Sequence, residues 1–294
     1  NRTPFYPEGG GQIGDTGELQ IQNSEFKIRI SGTKKENDLI IHITDDDIEA
    51  VTQLLAYPVT ARVQATKRHL TENNHSATHL LHAALRKVLG THVAQKGSLV
   101  NDQYLRFDFS HFEKVSDEQL AETEHIVNRK IRENIALQED RAIPIEQARQ
   151  AGAMMLFGEK YGDTVRMITF DPSYSRELCG GTHVPATGKI GLFKITSEGA
   201  SAAGVRRIEA VTADAAESFV DEQGKLLQDL KELLKNPKDI RKAVADLLDE
   251  KSKLAKLVET YENQQLQAMK EALLHKAQTV NGTTVIAEKV SVPS

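Results

Sequence analysis

The chain has 294 residues, 39% of them hydrophobic, with 42 acidic against 37 basic residues and a formal net charge of −5. That length admits two domains or one domain with an extended arm. A single cysteine excludes a disulfide framework and fits a reducing cytosol. No run approaches the ~18 consecutive apolar residues of a membrane span, and no charged-then-apolar leader opens the chain, so a soluble cytoplasmic protein without a membrane partner is expected.

Residues 1–60 read as short strands and turns: a glycine-rich stretch at 9–17, then Leu19–Ile21, Phe26–Ile30 in alternation, Ile40–Ile43 and a strand at Tyr57–Val63. Residues 64–212 mix helices, at about 67–90, 116–134 and 145–152, with strands at Leu105–Asp108, Thr164–Phe170, Ile190–Ser197 and Val205–Val211. Strands set apart from helices favour an α+β module with an antiparallel sheet. Beyond residue 213 the pattern turns to long charged helices, broken at Asn236-Pro237-Lys238-Asp239. Ile240, Val244, Leu247, Leu254, Val258 and Tyr261 make a stripe that suits a helical hairpin or coiled-coil arm, weakened by Lys251 and Gln265 on the same seam. A strand-like run, Thr283–Val290, precedes the last residue, and the chain begins without a methionine, so a sequence cut at both ends is expected.

The chemistry concentrates in two pairs, each four residues apart: His75 and His79 in HSATH, and Cys179 and His183 in CGGTH. Leu81, Leu85, Val88 and Leu89 continue the first pair at helical spacing, which puts both imidazoles on one face one turn apart. The two glycines of the second pair disfavour a helix and allow a tight turn that folds Cys179 and His183 toward one point. Three histidines and one thiolate form a mixed nitrogen and sulfur set typical of zinc. A zinc protease of the HExxH kind would need a glutamate where Ser76 stands. A zinc nucleobase deaminase would need more than one cysteine.

Four blocks in order extend this picture: TPFYPEGGGQIGD at 3–15, NHSATHLLHAALRKVLGTHVAQKGSLV at 74–100, LRFDFSH at 105–111 and ELCGGTHVPATGKIGLFKITSEGASAAGVRRIEAVT at 177–212. They closely resemble the editing region of bacterial-type alanyl-tRNA synthetases, and the free-standing AlaX deacylases share them. The resemblance covers roughly residues 1–275. Editing domains of threonyl-tRNA synthetases look similar at the two metal pairs but lack the TPFYPEGGGQ segment.

The resemblance implies a partial β-barrel over 1–62 with the glycine-rich motif, a zinc-binding α+β editing domain over 63–213, a helical hairpin arm over 214–278 and the start of a C-terminal domain at 279–294. It implies one zinc ion held by His75, His79, Cys179 and His183. The implied reaction is hydrolysis of the ester that joins serine or glycine to tRNA(Ala). ATP and Mg2+ belong to an aminoacylation domain absent from this chain, and oligomers would form through the C-terminal region of the whole protein. Gly10 and Gly11 let backbone N–H groups approach the substrate, Gln12 is the candidate for positioning the water or seryl group, and Thr3 is a weaker one for reading the serine hydroxyl. RNA contact falls to Arg206 or Arg207, which strand alternation points to opposite faces. The negative charge makes RNA binding an implication of the resemblance alone, although Arg62, Lys67, Arg68, Arg86, Lys87, Lys96 and Lys194 could join those arginines in a basic path. Asp108 is a candidate partner for a metal-bound histidine, and His82 reads as packing. Two alternatives stay open: a free-standing AlaX-type deacylase, and an inactive RNA-binding piece whose fold zinc staples.

Overall fold

The computed structural model describes residues 3–22, 24–37, 39–47, 58–155 and 161–289. The chain divides into two compact units, Asn1–Asp221 and Glu222–Ser294. Tyr57 and Val290, at the ends of two expected strands, lie outside the described residues.

In the first unit, β1 (Gly17–Ile21), β2 (Lys27–Ile30) and β5 (Val59–Val63) form an antiparallel sheet in the order β2-β1-β5. Alternation sends Ile28 and Ile30 inward to meet Phe5 and Ile21 in a small core. A separate ribbon pairs β3 (Gly32–Glu36) with β4 (Leu39–Ile43). Where a partial barrel was expected, these strands make an open sheet and a ribbon, and no barrel closes among the described residues. Lys34, Lys35 and Glu36 hid β3 from a reading based on apolar alternation, because that strand exposes its charges.

The centre of this unit is α1 (Ala65–Leu89). It packs against α2 (Asp117–Arg132) and against an antiparallel sheet ordered β11-β12-β7-β6. These strands are β6 (Gln95–Val100), β7 (Leu105–Ser110), β11 (Phe193–Ala202) and β12 (Val205–Thr212). Ser116 starts α2 with a capping box, its hydroxyl accepting from the Gln119 N–H while the Gln119 side chain accepts from the Ser116 N–H. Leu80, Leu81, Leu85, Phe107, Phe109, Phe170 and Ile208 are fully buried where helix and strands meet. Each such side chain contributes roughly 1.5–3 kcal/mol through removal from water. A third antiparallel sheet, β10-β9-β8, joins β8 (Gln138–Pro144), β9 (Thr164–Phe170) and β10 (Ser175–Leu178), with the short α3 (Ile145–Gln150) following β8. The class is α+β with antiparallel sheets, as read from the sequence.

Helix α1 departs from an ordinary amphipathic helix. Thr71, Asn73, Asn74, His75, Ser76, Thr78, His79 and His82 are buried along with its leucines and alanines. Buried polar groups demand partners; Thr71 and Thr78 bond within the helix, while Asn74, His75, Ser76, His79 and His82 reach Thr212, Gln12, His183 and Glu177.

The helix α4 (Ala213–Leu233) is followed by α5 (Ile240–His275), which begins at Asp239, whose side chain accepts from the Lys242 N–H. The break at 236–239 thus lies where proline and aspartate indicate. α4 and α5 are the two helices of the expected arm. Lys235 and Asn236 both adopt positive φ at the turn between them, and no side chain of α5 is buried. Beyond α5, β13 (Gln278–Val280) and β14 (Thr283–Val285) form a small hairpin across Asn281-Gly282. Both turn residues have the positive φ that a tight two-residue turn needs. Among the described residues, no helix is long and apolar enough to cross a membrane.

Candidate metal centre

Helix α1 presents His75 and His79 one turn apart, and the loop after β10 brings Cys179 and His183 to them. One ligand atom from each of these four residues lies within 4.8 Å of every other. Sγ of Cys179 sits 3.4 Å from Nε2 of His75 and 3.3 Å from Nε2 of His183. The loop can come this close because residue 181 has no side chain. A Cβ on Gly181 would stand 2.0 Å from Cε1 of His75 and 2.7 Å from Oε1 of Gln12. Arg166 on β9 holds the same loop, donating to the carbonyls of Cys179 and Gly181 while its Nε donates to Glu139.

Each imidazole is anchored through Nδ1 by a different partner. His75 Nδ1 lies 2.7 Å from Oε1 of Gln12, His79 Nδ1 lies 2.7 Å from Oε2 of Glu177, and His183 Nδ1 lies 3.3 Å from the Ser76 hydroxyl. Oε1 of Gln12 also accepts from the Thr182 N–H, and its amide nitrogen donates to the Thr182 hydroxyl, which fixes the orientation of the amide. An amide oxygen and a carboxylate only accept, so Nδ1 of His75 and of His79 each carries a proton and Nε2 of each is turned from these partners. Nε2 of His79 is buried without any hydrogen-bond partner. A buried nitrogen lone pair beside two more imidazoles and a thiolate is the donor set of a zinc site, and outer partners on Nδ1 are its usual support. The residues fit a soft divalent cation.

The electrostatics agree. Burial would raise the thiol of Cys179, but His75, His183 and His79 hold it well below its ordinary range. Burial together with the neighbouring His75 pushes His183 down to about 3. Burial opposes charge on His79 as well, yet Glu177 and Cys179 carry its pKa up to about 10. Glu177 is held far below the carboxylate range, since His79 and His82 outweigh its desolvation. Without a cation, the negative charge of Cys179 and Glu177 therefore draws a proton onto His79. A metal ion supplies the same positive charge and displaces it.

Beside the cluster opens a cavity of about 360 Å³, lined among others by Tyr6, Gly10, Lys35, His82, Phe107 and Cys179. Residues 1–64 match the family described as tRNA synthetases class II (A), and residues 165–209 match the threonyl and alanyl tRNA synthetase second additional domain. The alanine–tRNA ligase of Cytophaga hutchinsonii is 59% identical over 292 residues, an alignment covering 99% of this chain and 33% of that protein. The corresponding ligases of Bacteroides fragilis and Flavobacterium psychrophilum are 52% and 49% identical over the same shares. Over nearly its whole length the chain is similar to alanyl-tRNA synthetases. It spans about one third of the length of the curated relatives it matches.

The remaining candidate residues are placed less uniformly. Gly10 and Gly11 form a tight turn with φ of 59° and 84°, closed by mutual bonds between the backbones of Gly9 and Gln12. Gly10 faces the cavity, whereas the Gly11 carbonyl accepts from the Val100 N–H of β6. Gln12 is fully buried and its amide is taken up by His75 and Thr182. Thr3 bonds to Nε2 of His42 at 2.9 Å and is not among the residues lining the cavity. Arg206 makes two bonds to Glu198, and Arg207 makes two to Asp108. Asp108 therefore serves an arginine, not a histidine, and the carboxylate that holds a cluster histidine is Glu177. Of the other basic residues, Arg62 approaches Glu18, Arg68 pairs with Asp15, Arg86 donates to the carbonyls of Thr91 and Val93, and Lys194 pairs with Glu124. Reading the sequence alone missed Glu177, Ser76 and Arg166. The only signal for Glu177 was its place two residues before Cys179.

Proposed function

We propose that this chain carries the proofreading site of an alanyl-tRNA synthetase, a zinc-dependent hydrolase that releases serine or glycine from mischarged tRNA(Ala). The observation that carries the proposal is the convergence of His75, His79, His183 and Cys179 beside a cavity large enough for an aminoacyl ester. In the whole protein, an ATP- and Mg2+-dependent domain would join alanine to tRNA(Ala) in the cytoplasm, with oligomers formed through its C-terminal region. This portion would remove the errors. Its working parts would be the open β unit over 1–62, the editing domain over 63–213, the helical arm over 214–278 and the beginning of a further domain at 279–294.

His75, His79, Cys179 and His183 would hold the zinc. When bound, the ion supplies a positive charge that polarises an ester carbonyl or lowers the pKa of a nearby water. Gln12 fixes the ring of His75, so its influence on the substrate runs through that imidazole. The Gly10 backbone borders the cavity and can approach the aminoacyl group. Thr3 would act on serine recognition only indirectly, from its place beside His42. Of the two arginines, Arg207 has the more exposed side chain, 37% against 14%, and takes the contact with RNA.

A second site has a physical purpose. A pocket sized for alanine rejects a hydroxyl-bearing near-isostere by only ~10²-fold. A site whose polar groups are satisfied by the serine hydroxyl leaves them unpaired with alanine, at ~1–3 kcal/mol per buried group. The decisive experiment compares hydrolysis of seryl-tRNA(Ala) and alanyl-tRNA(Ala) by the wild type and by Cys179→Ala, with bound zinc quantified. Selective cleavage of the seryl ester, lost in the variant, is expected. A folded, zinc-loaded protein that cleaves neither ester would overturn the proposal.

A further inference from the structure

His82 belongs to none of the roles above, yet it is the most unusual side chain around the cavity. It is 1% exposed, its ring packs 5.1 Å from that of Phe107, and it forms part of the cavity wall. Its Nδ1 lies 3.1 Å from Oε1 of Glu177, whose other oxygen holds His79. The carboxylate only accepts, so the His82 proton sits on Nδ1 and Nε2 keeps its lone pair. That Nε2 has no hydrogen-bond partner although it is buried. Most buried imidazole nitrogens are satisfied, whereas this one, on a residue that borders the cavity, keeps an open lone pair.

A carboxylate on one imidazole nitrogen and a bare lone pair on the other is the arrangement that makes histidine a base. The carboxylate fixes the tautomer and stabilises the imidazolium that forms. We propose that His82, oriented by Glu177, is the general base for ester hydrolysis in this cavity. The inference rests on the deacylase reading above. A water attacks the ester carbonyl carbon while one of its protons passes to Nε2 of His82. The bond from that carbon to the ribose oxygen then breaks, and the departing oxygen takes the proton back from Nε2. The products are the free amino acid and an intact tRNA end, and His82 is regenerated. Glu177 thereby couples the two halves of the site, since one oxygen serves the cluster through His79 and the other serves the base.

The test measures hydrolysis of seryl-tRNA(Ala) by the wild type, His82→Gln and His82→Ala, with bound zinc quantified and free imidazole added to each. Glutamine can still donate to Glu177 but is no base, so it separates orientation from proton transfer. The expected result for His82→Gln is a fall in kcat on the order of 10²- to 10⁴-fold with KM and zinc content nearly unchanged. Imidazole should restore part of the activity of His82→Ala and leave His82→Gln unmoved. Wild-type kcat in His82→Gln would overturn the inference while leaving the deacylase reading intact. So would a loss of activity that tracks a loss of zinc and resists imidazole, because it would mark His82 as a packing residue. A wild type inert toward both esters would remove the deacylase reading, and this inference with it.

Discussion

Helices α1 and α5 look alike as sequence and differ in almost every physical respect. Both are long, 25 and 36 residues, and both carry leucines at helical spacing. In α1 Ala77, Leu80, Leu81, Ala84 and Leu85 are fully buried, and eight polar residues are buried with them. In α5 nothing is buried, and Leu247, Leu254 and Val258 each remain about half exposed. Helical periodicity therefore predicts a helix in both places but not what the helix does. The informative mark is the buried polar residue, because each one costs free energy unless the fold supplies a partner. In α1 the partners of His75, Ser76, His79 and His82 are Gln12, Glu177, Cys179 and His183, the candidate metal centre and its supports.

The largest effect should come from removing the cation or one of its ligands. His79→Ala deletes a ligand and leaves Glu177 buried with one imidazole fewer, so zinc binding and ester hydrolysis should both fall below detection. A cation at a thousand times its Kd stabilises the folded state by about 4 kcal/mol. Chelation should therefore strip amide protection from residues 71–85 in hydrogen exchange while leaving that of 245–270 unchanged. Equal loss in both helices would break the comparison.

Next comes a matched pair of truncations. Leu81 is fully buried and Leu254 is 54% exposed. Leu81→Ala should cost ~2–5 kcal/mol by denaturant unfolding, and Leu254→Ala less than about 0.5 kcal/mol. A large cost at Leu254 would show that the stripe on α5 is covered in solution.

How much of this was legible in the sequence follows from how far each contact reaches along the chain. His75 with His79, and Cys179 with His183, are local, so helix spacing and a glycine turn were enough to pair them. The strand Thr164–Phe170 was read with its observed bounds for the same reason, since its apolar residues announce it. Strands β6, β8 and β10 were not, because Gln95, Lys96, Gln138, Glu139, Asp140, Arg176 and Glu177 interrupt any alternation. Glu177 was invisible because its partners lie about a hundred residues away, and His82 passed for packing until β10 brought that carboxylate to it. The stripe after residue 213 marks the opposite case, since it is local and yields two helices, yet no side chain of α5 is buried. Local stripes cannot say whether two helices meet.

Smaller effects should follow from the cluster's supports. Gly181→Ala would drive a methyl group into His75 and Gln12, and such overpacking costs typically ~1–3 kcal/mol. Its thermal midpoint should fall, and its zinc affinity with it. Glu177→Gln keeps the shape but leaves His79 Nδ1–H facing an amide. Loss of an outer partner of this kind weakens metal binding by roughly 10–100-fold, which competition with a chromogenic chelator would measure. Undiminished affinity in Glu177→Gln would reduce that carboxylate to a spectator of the metal site.

The smallest effect belongs to an ion pair at the surface, and it tests whether the contrast between buried and exposed charge holds within the first unit. Asp171 accepts from the Ser173 hydroxyl and from Lys130 Nζ, which together bring its pKa from 3.8 down to about 2. A folded value below the unfolded one means that the contribution is complete above pH 3.8 and disappears as pH falls through about 2. The Asp171 side chain is about a quarter exposed, so solvent screening keeps the contribution below about 1 kcal/mol. Asn is the right replacement, because residue 171 has φ of 66° and asparagine tolerates that conformation. The denaturation midpoint of Asp171→Asn should lie slightly below that of the wild type at about pH 5 and coincide with it near pH 2. A difference that persists in acid would mean that residue 171 acts through turn geometry and not through charge, unlike Glu177, whose carboxylate has no solvent to replace its two imidazoles.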